Sequence, residues 1–182
     1  MELCEILDKS YISTIHWQFE NSTGIKGFFK INEFEFCVAI VFETFTEAHL
    51  CSVKQQIEFC KLFQDKTLAR IDIGQVLNTL DYNFSIAKDA SGLAYQVIST
   101  LVVEISKKLQ HEKIDLLYFA STEFNKSEVR QQRIYPRMGK MMAIRLNKRC
   151  IVHKQEGQTI TMMLSGFDQD EYLKFLEVLD DN

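Results

Sequence analysis

The spacing of apolar and polar residues divides the chain into alternating and helical stretches. His16-Trp17-Gln18-Phe19-Glu20 alternates and predicts a strand, closed by the turn cluster Asn21-Ser22-Thr23-Gly24. Ile25 to Ile31 predicts a second strand, and Phe34 to Phe42 a third that ends as a continuous apolar run. Short connections between these three predict an antiparallel meander. Met1 to Ile12 has the pattern of a short amphipathic helix, and a helical face recurs at Leu50, Val53, Ile57 and Cys60 through Phe63. Leu68 to Leu80 places Ile73, Val76, Leu77 and Leu80 on one face, which predicts a second helix with Asp72 as its cap.

The stretch Tyr82 to Gly139 has the clearest order. Tyr82 to Ala87 alternates as a strand, and Lys88-Asp89-Ala90-Ser91-Gly92 forms a turn. Leu93, Val97, Leu101, Ile105 and Leu109 then recur every four residues, with Lys107 and Lys108 at the end of a helix that favours cations. Ile114 to Ala120 reads as a strand buried on both faces, followed by a polar loop from Ser121. An arginine-rich helix starts near Glu128, with Ile134, Met138, Met141 and Met142 on its apolar face. Pro136 within it predicts a kink or break, because proline lacks an amide hydrogen and crowds the carbonyl four residues back. Glu156-Gly157-Gln158 predicts a hairpin between Cys150–His153 and Thr159–Leu164, and Gln169 to Leu179 a last helix. The fold expected is mixed α+β: one domain over residues 1–182, with a mostly antiparallel sheet, one parallel pair and flanking helices.

Composition adds limits. Hydrophobic residues at 46% and charged residues at 25% are ordinary for a soluble protein, and one Pro leaves little room for linkers. No apolar run reaches the length of a membrane span, and acids near the start (Glu2, Glu5, Asp8) do not resemble a signal peptide, so a cytoplasmic location is expected. Five scattered cysteines without a CxxC pair predict reduced, mostly buried thiols. His49, Cys51 and Cys60 lack a fourth ligand at zinc spacing, so no metal is expected. Met138, Met141, Met142, Met162 and Met163, with His16, Trp17 and the Phe-rich strands, read as core.

Charge is unevenly spread. The net charge is −4, yet Lys126 to Lys154 holds nine Lys/Arg against one Glu, a local +8 that leaves −12 elsewhere. Arg130, Arg133 and Arg137 form a stripe able to meet phosphate or an acidic partner, or simply a solvated face. Nucleic acid is disfavoured by an isoelectric point near 5.6 and the lack of a binding motif.

Two short motifs give the order a family likeness. Asp89-Ala90-Ser91-Gly92-Leu93-Ala94 resembles the cofactor loop Q/R-x-x-G-x-G/A of the GCN5-related N-acetyltransferase (GNAT) superfamily, with Asp at the first position. Tyr135-Pro136-Arg137-Met138-Gly139-Lys140 resembles that family's Tyr-x-x-Leu-Gly-Phe, with Lys for the Phe. The chain is also similar to small GNAT-like proteins common in phage genomes. The resemblance implies acetyl transfer from acetyl-CoA to an amine. In that case Ser91, Gly92, Leu93 and Ala94 would hold the pyrophosphate, and Tyr135 would be the acid beside the departing thiolate. Taken without the resemblance, the loop reads as an ordinary helix start with Asp89 or Ser91 as cap, and Tyr135 equally as a core tyrosine. Glu43, Glu123 and His49 are candidate bases by chemistry alone. The alternative function is a non-catalytic phage or mobile-element accessory protein that works by protein–protein contact.

Overall fold

The computed structural model describes residues 12–43, 61–76, 82–83, 93–122, 126–155 and 158–180. The expected helices before Ile12 and after Thr46 (apart from a last helical turn at 61–63), the turn at Asp89–Gly92, and His49, Cys51, Cys60 and Glu123 lie outside these residues.

Eight strands form one sheet: β1 (His16–Asn21), β2 (Gly24–Ile31), β3 (Phe34–Glu43), β4 (Leu68–Val76), β5 (Tyr82–Asn83), β6 (Leu116–Thr122), β7 (Arg149–Gln155) and β8 (Gln158–Leu164). The helices are α1 (Ala94–Leu109), α2 (Lys126–Leu146) and α3 (Gln169–Asp180). Strand order is β1-β2-β3-β4-β6-β8-β7, with β5 paired to β4 off this path. Every pairing is antiparallel except β4 with β6. The expected α+β architecture with its meander and single parallel pair is present. None of the helices among the described residues is long and apolar enough to cross a membrane.

The meander follows from its turns. Asn21 Oδ1 accepts the amides of Thr23 at 2.9 Å and Gly24 at 3.1 Å, so the side chain closes the β1–β2 turn. Asn32 takes the left-handed φ of 54° between β2 and β3, a conformation asparagine tolerates.

Alternation along the strands builds two cores. On one face Phe36, Val38, Ile40, Ile71, Ile73, Leu117, Phe119 and Met163 meet α1 and α2. On the other, Leu68, Leu116, Tyr118, Ile160, Met162 and Leu164 meet Phe63 and the α3 residues Phe175, Val178 and Leu179. Asp168 and Glu171 start α3 with a reciprocal cap: the Glu171 amide donates to Asp168 Oδ1 at 2.8 Å, and the Asp168 amide to Glu171 Oε2 at 3.0 Å. Met138, Met142, Met162 and Met163 are buried as expected of core, Met141 partly so.

Four expectations fail. Leu68 to Val76 is a strand, not a helix, and Asp72 lies within it rather than capping anything. The alternation Arg70-Ile71-Asp72-Ile73 fits a sheet with one greasy face, and tertiary pairing on both edges outweighs the helical spacing further on. Of the kink or break expected at Pro136, the break is absent: α2 runs continuously from Lys126 to Leu146. Ser121 and Thr122 extend β6 through pairing with Thr159 and Gln158 instead of forming a loop. His16 is exposed at the sheet border rather than buried.

The parallel pair is clamped where it begins. Asp115, only 6% exposed, accepts the Thr67 amide at Oδ2 (2.8 Å). The Asp115 and Leu116 amides return to the Thr67 carbonyl at 2.9 and 3.1 Å, and the Ser165 amide donates to the Asp115 carbonyl at 2.8 Å. Lys148 donates from Nζ to the Ile114 carbonyl and to Ser165 Oγ. Burial lowers the Lys148 pKa while the Asp115 charge opposes that shift. Gly166 turns beside them at φ 71°, where a Cβ would strike Asp115 Oδ1.

Asp115→Ala strips the Thr67 amide of its acceptor and Lys148 of its nearby charge. The expected loss is about 2–3 kcal/mol, read as a lower denaturant midpoint with an unchanged slope.

Candidate functional site

Past the clamp, β4 and β6 pair through only three residues: Leu68↔Leu116, Ala69↔Leu117 and Arg70↔Tyr118. Beyond that point β6 pairs, among the described residues, only with β8, from Phe119↔Thr161 to Thr122↔Gln158. On β4, Gln75 pairs with Phe36 of β3 on one edge and with Asn83 of β5 on the other. A strand has two edges, so β5 sits on the edge that β6 uses lower down. Among the described residues Ile71 to Gly74 therefore has no strand partner on that edge, a notch with the Arg70↔Tyr118 pair below and β5 above. At about 3.3 Å per residue the notch is roughly 13 Å long.

A polar network spans the strands where they part. Arg70 Nη1 lies 2.7 Å from Glu43 Oε1, and Arg70 Nε lies 3.0 Å from each Asp72 oxygen. The Tyr118 hydroxyl donates to Glu43 Oε2. The Glu43 side chain is only 5% exposed, whereas those of Arg70 and Asp72 are 25% and 30% exposed. Both Glu43 oxygens are engaged, so its chemistry as a base is blocked unless this network opens. The freer carboxylate belongs to Asp72, the third residue of β4 beyond Ala69 and the one carboxylate of the notch span Ile71–Gly74.

On the opposite face Tyr135 of α2 stacks on Phe119, with ring centroids 5.2 Å apart and planes 25° apart. It is 8% exposed. Burial first, and the Asp72 charge second, push its hydroxyl pKa well above the tyrosine range. Burial and the Glu43 hydrogen bond do the same for Tyr118. Both phenols are held as proton donors. Cys37 and Cys150 are free thiols whose pKa values burial raises, which makes them chemically quiet.

The other expected site residues distribute as follows. Leu93 is the N-cap of α1 and Ala94 its first residue; Leu93 offers no side-chain cap, and no acid stands in the first turn. Ser91 and Gly92 lie outside the described residues. Arg130 and Arg133 belong to α2, and Arg137 is exposed on it. Gly139 has a packing role: a Cβ there would overlap Thr161 Cγ2 and stand 3.5 Å from Cys150 Sγ, so α2 can settle onto β8 only with glycine. Sequence reasoning missed Arg70, Asp72 and Tyr118. For Arg70 and Asp72 the signal was the charged alternation within a stretch whose helical spacing prevailed; Tyr118, in an apolar strand, carried none. Among the described residues no three His, Cys, Asp or Glu side chains gather as a metal site.

The two shielded phenols have a measurable consequence. An unfolded tyrosine ionises near 10.0, while these two remain protonated in the fold at that pH. Their contribution to stability is whole below pH 10 and is lost as pH climbs toward the folded values. Ultraviolet titration should show at least two of the six tyrosines failing to ionise until the protein unfolds. Tyr118→Phe should remove one of the two.

Set against known proteins, the chain matches no family model, no curated protein and no solved structure at a significant level.

Proposed function

We propose that the chain is a GNAT-like acyl-CoA-binding protein that transfers an acetyl group to an amine. The observation that carries this reading is the parting of parallel strands β4 and β6 after three paired residues. Their facing edges over Ile71–Gly74 and Phe119–Thr122 have no strand partner on that side among the described residues. Backbone donors and acceptors left this way favour an extended, amide-bearing chain, and the pantetheine arm of coenzyme A is one.

The other features fit the same ligand. α1 returns from the carboxyl end of β4 to the amino end of β6, so its start stands at the carboxyl ends of the parallel strands. Leu93 as N-cap offers no side-chain acceptor, and a helix start favours anions such as a pyrophosphate. Tyr135 keeps its proton at neutral pH, so its hydroxyl can donate a hydrogen bond to a leaving thiolate. Coenzyme A supplies the activated acyl thioester; the chain supplies the slot, the helix end and the phenol hydrogen bond.

Isothermal calorimetry with acetyl-CoA tests the binding. Saturable heat in the micromolar range is expected. No heat from folded protein would end this reading and shift weight to a chain that acts through its basic helix by protein contact. With an acceptor amine identified by thiol release, Tyr135→Phe should lower turnover by about a hundredfold and leave acetyl-CoA affinity near its starting value.

A further inference from the structure

A second surface, independent of the notch, lies at the far border of the sheet. Among the described residues β7 pairs with β8 alone, through seven consecutive pairs from Arg149↔Leu164 to Gln155↔Gln158 without a bulge. The opposite border, β1, loses its register between Gln18 and Asn21. A regular border strand turns alternate amides and carbonyls outward and is a template for another strand unless something blunts it. β7 contains neither proline nor bulge.

Its charge narrows the occupant. From Arg137 to Gln155 the sequence holds Arg137, Lys140, Arg145, Lys148, Arg149 and Lys154 and no acid. Lys148 is turned into the Asp115 clamp; the other five are exposed. Arg149 lies over the Tyr172 ring, 4.5 Å from its centroid, on the α3 face. Cys150 packs on the α2 face, and strand alternation puts Lys154 on that face too. Lys140 joins them there: it follows Gly139, which abuts Cys150, and its charge acts on the Cys150 thiol. Two copies joined β7 to β7 would bring the Lys140 and Lys154 of each together on the α2 face, and like charges across a strand pair are destabilising.

We infer that β7 receives an extended acidic segment of a partner protein as an added strand. The segment's backbone completes the ladder beyond Arg149–Gln155. Carboxylates at every second position then fall on the side of Lys140 and Lys154, because strand side chains alternate.

The probe is a blocked peptide as long as β7 that alternates Glu with Thr, compared with a version carrying a central Pro and one with Lys for Glu. Fluorescence anisotropy should show binding by the first alone. Amide exchange should slow within residues 149–155 and not at β1. The double variant Lys140→Glu, Lys154→Glu, both sites being exposed, should weaken binding about tenfold or more with an unchanged circular dichroism spectrum. Equal binding of the proline peptide would reduce the surface to bare charge and overturn the proposal. So would no binding at millimolar peptide, a dimer of the free chain by light scattering, or tighter binding of an oligonucleotide of the same charge. Acetyl-CoA affinity should be the same in the double variant, so this proposal and the acyl-CoA reading can fail separately.

Discussion

The sheet depends on a single parallel seam, pinned at its start and released soon after. Asp115 and Thr67 exchange hydrogen bonds at the entrance of β4 and β6, and Lys148 and Ser165 tie the neighbouring chain to the same point. Three residue pairs later the ladder stops. Everything from β1 to β4 reaches β6 to β8 through this seam and through the two cores that sandwich it. A carboxylate buried here is worth its desolvation because each engaged group answers a backbone donor or a cation.

Where the ladder stops, side chains take over from backbone. Glu43 of β3, Arg70 of β4 and Tyr118 of β6 come from three adjacent strands and join them laterally. Arg70 is shared between a buried carboxylate and a partly open one, which leaves one negative charge in excess at the base of the notch. Tyr135 lies on the other side of the same sheet, near enough for Asp72 to act on its hydroxyl. The notch is thus polar on one face and aromatic on the other.

Much of this was legible in the residues. The meander, α1, the closing hairpin and α3 follow from local alternation, spacing and turn chemistry, all of which agree with the tertiary outcome. β4 was not legible, because Ile73, Val76, Leu77 and Leu80 carry a helical spacing that overlaps the true strand, and only pairing with β3 and β6 decides between them. The Asp115 clamp was hidden as well, since its partners Thr67, Lys148 and Ser165 are far apart in sequence. α1 had a further surprise. Its apolar stripe is buried as expected, yet Ser99, Thr100, Glu104 and Ser106 are buried too. The segment ahead of β1 crosses it, with the Ser13 amide donating to Thr100 Oγ1 at 3.0 Å, and no periodicity within a helix announces what will lie over its polar side.

β5 is only two residues long, but its position gives the notch a direction. It shuts the upper end, the Arg70–Tyr118 pair shuts the lower, and buried Ile71, Ile73, Phe119 and Tyr135 fill the face under the helices. Among the described residues this leaves one way in, from the side where Arg70 and Asp72 are partly open. A visitor would meet that ion pair before any apolar contact, so the order of encounter is charge first and shape second. The strands define the slot, and among the described residues its upper wall is fastened by Gln75↔Asn83 and Val76↔Tyr82, two pairs against the three of the parallel seam, so the wall has the shortest ladder in the sheet.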